Sequence, residues 1–472
     1  MKHSHVKTSR ASRNAANHLP WVVLVSAVAV LVLLLGTLLP RAKRGLPAEI
    51  DSTRPGNQMS TSAGQPARTT PVHRGASTSM PEFTPDQIVA GKVVAFAESR
   101  RAIAEKMSKR AKVQVTPEIE AFFAAVQAGK WEDITNRFEK LSQLRRSEQG
   151  GEDLRALWSP ILETFGVAET AHAWPAQKLL DYGQAVLGSL KPGMVYVGGT
   201  DPGRFIPTLM NETTDADRHV VLTQNALADN TYLQYVNFLY GDQLGTMSQE
   251  DSQRAFQDYL TDAQKRLVHD QQFPDEPKQI RPGEDIQMTD GRVQVSGQVA
   301  VMAINERLLT MIMDKNPDTS FALEESFPLK STYGNAVPMG PIMELRVPDS
   351  QTAFTQQTAA QAVDYWQTTA NQLVNDPETS ADSDPRKAYS KMASAQANLL
   401  SDHNFIAEAE QAYKAATEIC PTSPEAVFGY VNLLVSHNQM AQAVPVVESA
   451  VAGAPDNQQF RDLLQTLKRR NQ

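Results

Sequence analysis

Among 472 residues there is one cysteine, Cys420. An intramolecular disulfide is therefore impossible, although the compartment stays open, because exported proteins need not use disulfides. Nine histidines are scattered without the Cys/His spacing of a zinc site, so neither a metal nor a cofactor is expected. A phosphate-loop Lys-Ser/Thr pair, a nucleophile elbow and a full dinucleotide fingerprint are all missing, and nothing marks the chain as an enzyme. Positive charge is scarce beyond the start. Residues 1–80 hold ten Lys/Arg against two Asp/Glu, which leaves 35 against 51 in the remainder. A body that acidic argues against nucleic acid as a partner.

The basic end poses a different problem. After a basic tail over 1–19, Pro20 to Leu39 runs for twenty residues without a charge. At about 1.5 Å of rise per residue, that matches the hydrocarbon core of a bilayer. Trp21 falls near one interface, where an indole is well placed. A cleaved signal peptide fits less well, because Pro40-Arg41-Ala42-Lys43-Arg44 follows in place of a small-x-small cleavage site. The expectation is a single-pass membrane protein. Lys2, Lys7, Arg10 and Arg13 precede the span and Arg41, Lys43, Arg44 and Arg54 follow it, so flanking charge does not orient it. A short N-terminal tail favours a cytoplasmic N-terminus with the body on the outer side, periplasmic or extracellular. Residues 40–82 are rich in Pro, Ser, Thr, Gly and Ala and read as a disordered linker.

Residues 83–190 read as helical. Thr84-Pro85 and Thr116-Pro117 are helix starts, each with a capping residue followed by proline. Trp158 and Trp174 are expected to be packing residues. From 191 to 350 the pattern changes. Met194 to Val197 is a short apolar strand, and it opens into Gly198-Gly-Thr-Asp-Pro-Gly-Arg204 before a helix. His219 to Gln224, Ser320 to Glu325 and Pro341 to Val347 are further strands. Ile286 to Met288 and Arg292 to Val295 read as a hairpin around Thr289-Asp290-Gly291. Strands alternating with helices predict an α/β domain, mostly parallel and three-layered. In such a sheet, side chains just past the strand ends line one crevice. Here they are Thr200, Asp201 and Arg204, then Gln224, Asn225 and Asp229, then Glu324 with Glu325. Carboxylates, a guanidinium and amides suit a polar ligand such as a glycan or a phosphate. Asp201 or Glu324 can serve as general acid or base if burial raises its pKa. The plainer reading is also open: Asp-Pro-Gly is ordinary turn chemistry, and Arg204 can simply pair with Asp201.

Gly193–Phe205, His219–Tyr235, Asn305–Glu325 and Gly340–Val347 together resemble the extramembrane C-terminal domain of protein O-mannosyltransferase-like multi-spanning membrane proteins. The resemblance covers roughly a third of the chain. It implies an outward-facing domain linked to envelope glycan traffic. It does not imply transferase activity, which that family houses in its many spans.

Residues 351–472 carry a repeat. His403-Asn404 and His437-Asn438 are 34 residues apart, as are Ala409 and Ala443, Ala416 and Ala450, and Pro421 and Pro455. The period resembles the tetratricopeptide repeat, a pair of helices per unit. Small Ala409, Ala416, Ala443 and Ala450 let helices approach, Tyr413 fills the space beside them, and Pro421 and Pro455 stop the second helix of each unit. Such repeats imply a protein-binding surface; the alternative is that they only brace the α/β domain. The expected function is thus a membrane-anchored scaffold or adaptor at the cell envelope. The alternative is a glycan- or phosphate-binding accessory, or an enzyme of envelope glycosylation, using the crevice.

Overall fold

The computed structural model describes residues 83–147, 151–199, 201–289, 292–325, 334, 336–345 and 354–470. The tail over 1–19, the span Pro20–Leu39, the linker over 40–82, Thr200 and the hairpin turn Asp290-Gly291 lie outside the described residues.

The N-terminal helices are α1 (Pro85–Ala111), α2 (Pro117–Ala128), α3 (Trp131–Arg146), α4 (Gly151–Ala156), α5 (Trp158–Ala173) and α6 (Ala176–Leu187). Helix α1 starts in a capping box, in which Thr84 and Gln87 each accept the other's backbone N–H. Its length of 27 residues exceeds what a bilayer needs, but Lys92, Glu98, Arg101, Glu105 and Lys106 break any apolar run. Among the described residues no helix is long and apolar enough to cross a membrane. That does not fit a single-pass protein with its body on the outer side, and the expectation is corrected on this ground.

Then come β1 (Val195–Gly198), α7 (Asp201–Glu212), β2 (Val220–Thr223), α8 (Asn230–Tyr240), α9 (Gln249–Gln272), β3 (Asp285–Thr289), β4 (Arg292–Ser296) and α10 (Gln298–Lys315). Strands β5 (Phe321–Leu323), β6 (Ala336–Met339) and β7 (Ile342–Leu345) complete this region. The main sheet runs β2-β1-β5-β7-β6, and β3 with β4 forms a separate ribbon. Only β1 pairs in parallel, with β2 and β5; β7 pairs antiparallel with both β5 and β6.

The expected mostly parallel, three-layer α/β domain is therefore corrected. The described residues contain sixteen α-helices against one small mixed sheet and a two-stranded ribbon, so they are mostly helical. The physical reason lies at Gly340-Pro341. A two-residue connection can join only antiparallel strands, because a parallel pair needs a crossover. Gly340 takes the left-handed conformation that the turn demands, at φ 61°.

Side chains alternate across the sheet. Val195, Val197, Leu222, Phe321, Leu323 and Met343 enter one core with α9 and α10. Tyr196, Val221, Ala322 and Ile342 enter the other, with α6 and α7. A third core joins α1 to α5 around Phe122, Phe123, Trp158 and Ile161.

The C-terminal helices are α11 (Gln356–Val374), α12 (Asp384–Asp402), α13 (Ile406–Ile419), α14 (Pro424–Ser436), α15 (Met440–Gly453) and α16 (Gln458–Arg470). Helices α13 and α15 are offset by 34 residues at both ends, and so are α14 and α16. Asn404 and Asn438 both turn left-handed, at φ 64° and 60°, and release the chain from one helix into the next. Ala409, Ala416, Ala443 and Ala450 are fully buried, with Tyr413 beside them. Pro421 and Pro455 follow the ends of α13 and α15.

A buried ion network ties the first helices to the sheet region. Arg100 of α1 is 1% exposed. It lies 2.5 Å from Glu163 of α5 and 3.1 Å from Glu212 of α7, over the Phe96 ring. Tyr235 of α8 also donates to Glu163, at 2.6 Å. Removing one partner of such a set leaves the other charges unpaired. Arg100→Leu is expected to cost about 3 kcal/mol in urea unfolding. A loss below about 1 kcal/mol would show the network to be ornamental.

Candidate functional site

The strand ends expected to line a crevice lie where β1 turns into α7. Strand β5 ends beside it, and Glu324 there is 1% exposed. One of its carboxylate oxygens accepts the Gly199 N–H at 2.9 Å, and the other accepts the Tyr182 hydroxyl at 2.9 Å. A methyl group added at Gly203, in the first turn of α7, would lie 1.8 Å from that carboxylate. The glycines thus shape a cradle for an anion at a helix N-terminus, where the helix dipole and free N–H groups favour negative charge. The anion in the cradle is the protein's own Glu324.

The other expected ligand groups are also engaged within the fold. Asp201 points outward, with its side chain 72% exposed, and pairs with Arg204 at 3.1 Å. Arg204 lies over the Phe205 ring at 4.1 Å. Asn225 donates to the Gly199 carbonyl at 2.6 Å and so braces the turn. Asp229 caps α8 by accepting the Thr231 N–H at 2.8 Å, and it faces Arg145 at 3.8 Å. Gln224 is buried at 1% exposure in the short turn after β2. Asn225 and Glu324 meet at the β1–α7 turn, Asp201 and Arg204 pair at the start of α7, and Asp229 caps a different helix. Tyr196 completes the set, donating to the Gly203 carbonyl at 2.6 Å.

Sequence reasoning gave no role to two neighbours, Tyr182 and Lys391, and placed Glu325 only as a further carboxylate at the strand end. Tyr182 reaches the turn from α6, and no spacing in the sequence links positions 182 and 324. Glu325 stands beside Glu324, and its Cγ would lie 2.9 Å from a methyl group added at Gly199. Lys391 of α12 pairs with Glu425 of α14 at 3.2 Å, and both act on Glu325 electrostatically. Burial first, then the adjoining Glu324 carboxylate, pushes the Glu325 carboxyl up to about 8, and Lys391 opposes the rise. Two adjacent carboxyls at one strand end cannot both ionise freely. The Glu-Glu dipeptide after an apolar strand was the available signal. The inner face of the C-terminal helices thus adjoins the crevice, which the order of elements alone does not reveal.

Gly203→Ala is expected to destabilise the fold by about 2 kcal/mol, because the methyl group meets the Glu324 carboxylate. Gly91→Ala in α1, with open space around the added methyl, should gain about 0.5 kcal/mol. Equal effects in thermal unfolding would contradict the cradle. Glu325 sets a pH dependence of definite sign. Its folded pKa lies above the ordinary 4.5, so the folded chain holds the extra proton. Stability from this group is whole below about 4.5 and is lost as pH rises through about 8. Glu325→Gln should therefore raise Tm at pH 8.5 by about 3 °C and leave it unchanged at pH 4. An identical Tm difference at both pH values would refute the assignment.

Comparison with family models, with curated proteins and with solved structures returns no match to this chain, so what it does is argued from its own geometry.

Proposed function

We propose that the chain is a protein-binding scaffold or adaptor, and that its working surface is the inner face of the second helix pair and its cap. The reading rests on a contrast between the two helices that open the repeated units. Helix α12 is buried along nearly its whole length, and its Gln396 donates to the Gly340 and Ile342 carbonyls at 2.8 and 3.0 Å. Trp366 of α11 in turn donates to Gln396 at 2.8 Å. The first unit therefore braces the sheet.

Helix α14 continues the same row past the sheet. Glu425, Phe428, Asn432 and Val435 recur there at spacings of three and four, on one helix face. Asn432 is exposed, and Phe428 and Val435 are half-buried. A mixed row of aromatic, amide and aliphatic groups suits an extended or helical peptide. Helix α16 closes the array, burying Phe460 and Leu467 and turning Lys468, Arg469 and Arg470 outward. The resemblance to tetratricopeptide repeats supports the same reading. The alternative, a glycan or phosphate in the β1–α7 crevice, is less supported because Glu324 already fills the anion position.

A photo-crosslinking amino acid at position 432 tests the proposal in cells. It should yield a discrete adduct, whereas the same group at exposed Glu448 on α15 should not. Phe428→Asp should reduce the adduct about tenfold with the fold intact by circular dichroism. Equal labelling from 432 and 448 would sink the scaffold reading.

A further inference from the structure

A cleft of about 700 Å³ opens between α6 and the C-terminal half of α11, with the start of α12 as its floor. That volume lies within the range of small-molecule sites, roughly 300–1,000 Å³. It is separate from the crevice and from the row on α14. Its walls combine two aromatic rings with an excess of negative charge. Tyr365 and Tyr389 line it, together with Asp181, Asp364, Asp376 and Lys178. Both rings are held in place: Tyr365 stands edge-on to Trp366 at 5.0 Å, and Tyr389 edge-on to Tyr182 at 5.3 Å.

The one lysine is already neutralised. Lys178 lies 2.5 Å from Asp376 and 3.4 Å from Asp181, and its side chain is 14% exposed. Burial works against its charge, but these carboxylates outweigh burial and hold its pKa above the ordinary value. Asp364, exposed on α11, has no cation partner among the described residues. The lining groups therefore carry two negative charges more than positive ones.

Those features select a ligand class. An anion would meet uncompensated carboxylates. A bare metal ion finds no seat, because among the described residues no group of three or more His, Cys, Asp or Glu can hold one. Aromatic rings with nearby carboxylates favour a cation that has both hydrocarbon and N–H donors. We propose that this cleft binds a small organic cation, through an alkylammonium or guanidinium group that pairs with Asp364 while its hydrocarbon lies against the tyrosine rings of the lining. The cation comes either from a free amine or from a basic side chain of a peptide, and both present the same chemistry. The inference is independent of the surface on α14.

Titration calorimetry on the full chain tests it with three probes: putrescine, N-acetylarginine methylamide and glutarate as an anionic control. At least one cation should bind saturably at one site, more weakly as salt rises. Putrescine alone would identify a free amine as the source, and the arginine derivative alone a side chain. Asp364→Asn, an exposed change that spares the fold, should weaken binding about tenfold. Glu448→Gln, remote on α15, should leave it unchanged. The proposal is overturned if neither cation binds up to about 10 mM, if glutarate binds as well, or if Asp364→Asn keeps full affinity.

Discussion

A carboxylate out of water needs compensation, and the centre of this molecule is arranged to supply it to Glu324. Its partners come from distant parts of the chain: the Tyr182 hydroxyl from α6 and the Gly199 N–H from the β1–α7 turn. Gly203 lets α7 approach closely enough for the helix terminus to face the charge. Tyr182 also touches Met392 of α12 through its hydroxyl, at 3.7 Å. One anion thereby joins the first helices, the sheet and the C-terminal helices. Polar groups of this kind specify a unique arrangement, because a slipped helix would leave a buried charge unpaired.

That arrangement divides the labour between the two repeated units. Helix α12 fills the space against the sheet, and its Arg386 donates to the Glu418 carbonyl at 2.9 Å, satisfying the C-terminal end of α13. Small residues make this possible, since Ala393, Ala397 and Ser390 let helices close up. The later unit packs Phe428 and Val435 of α14 against the repeat core and leaves Glu425 and Asn432 exposed. A repeat built to stack therefore serves as a brace against the sheet at one end, and on the proposed reading presents a surface at the other.

Local signals were legible. Thr84-Pro85 and Thr116-Pro117 mark helix starts because such signals depend on neighbours in sequence, and both helices begin there, Thr84 with a side-chain cap and Thr116 without one. The residue types at the strand ends were legible as well, and so was the Asp201–Arg204 pair, but the role of Glu324 was not. Glu324 looks like a ligand group on a list of residues, yet it is itself the bound anion, because Tyr182 and two glycines converge on it in space. Strand β6 gave no signal, since Asn335-Ala-Val-Pro-Met339 contains a proline and no clean alternation. Without β6 the sheet looked parallel.

The linear order of residues by itself determined the helix pairs, their 34-residue offset and the left-handed asparagines between them. Each of those follows from short-range sterics and from apolar spacing. Tertiary structure alone decided that the sheet is small and mixed, that the anion cradle is filled from within, and that a carboxylate-rich cleft opens between α6 and α11. The cradle and the cleft depend on contacts between segments more than a hundred residues apart, such as 182 with 324, and the antiparallel edge on the pairing of β6 with β7 across Gly340-Pro341. Chain propensity carries no information about such pairs; packing and charge compensation do.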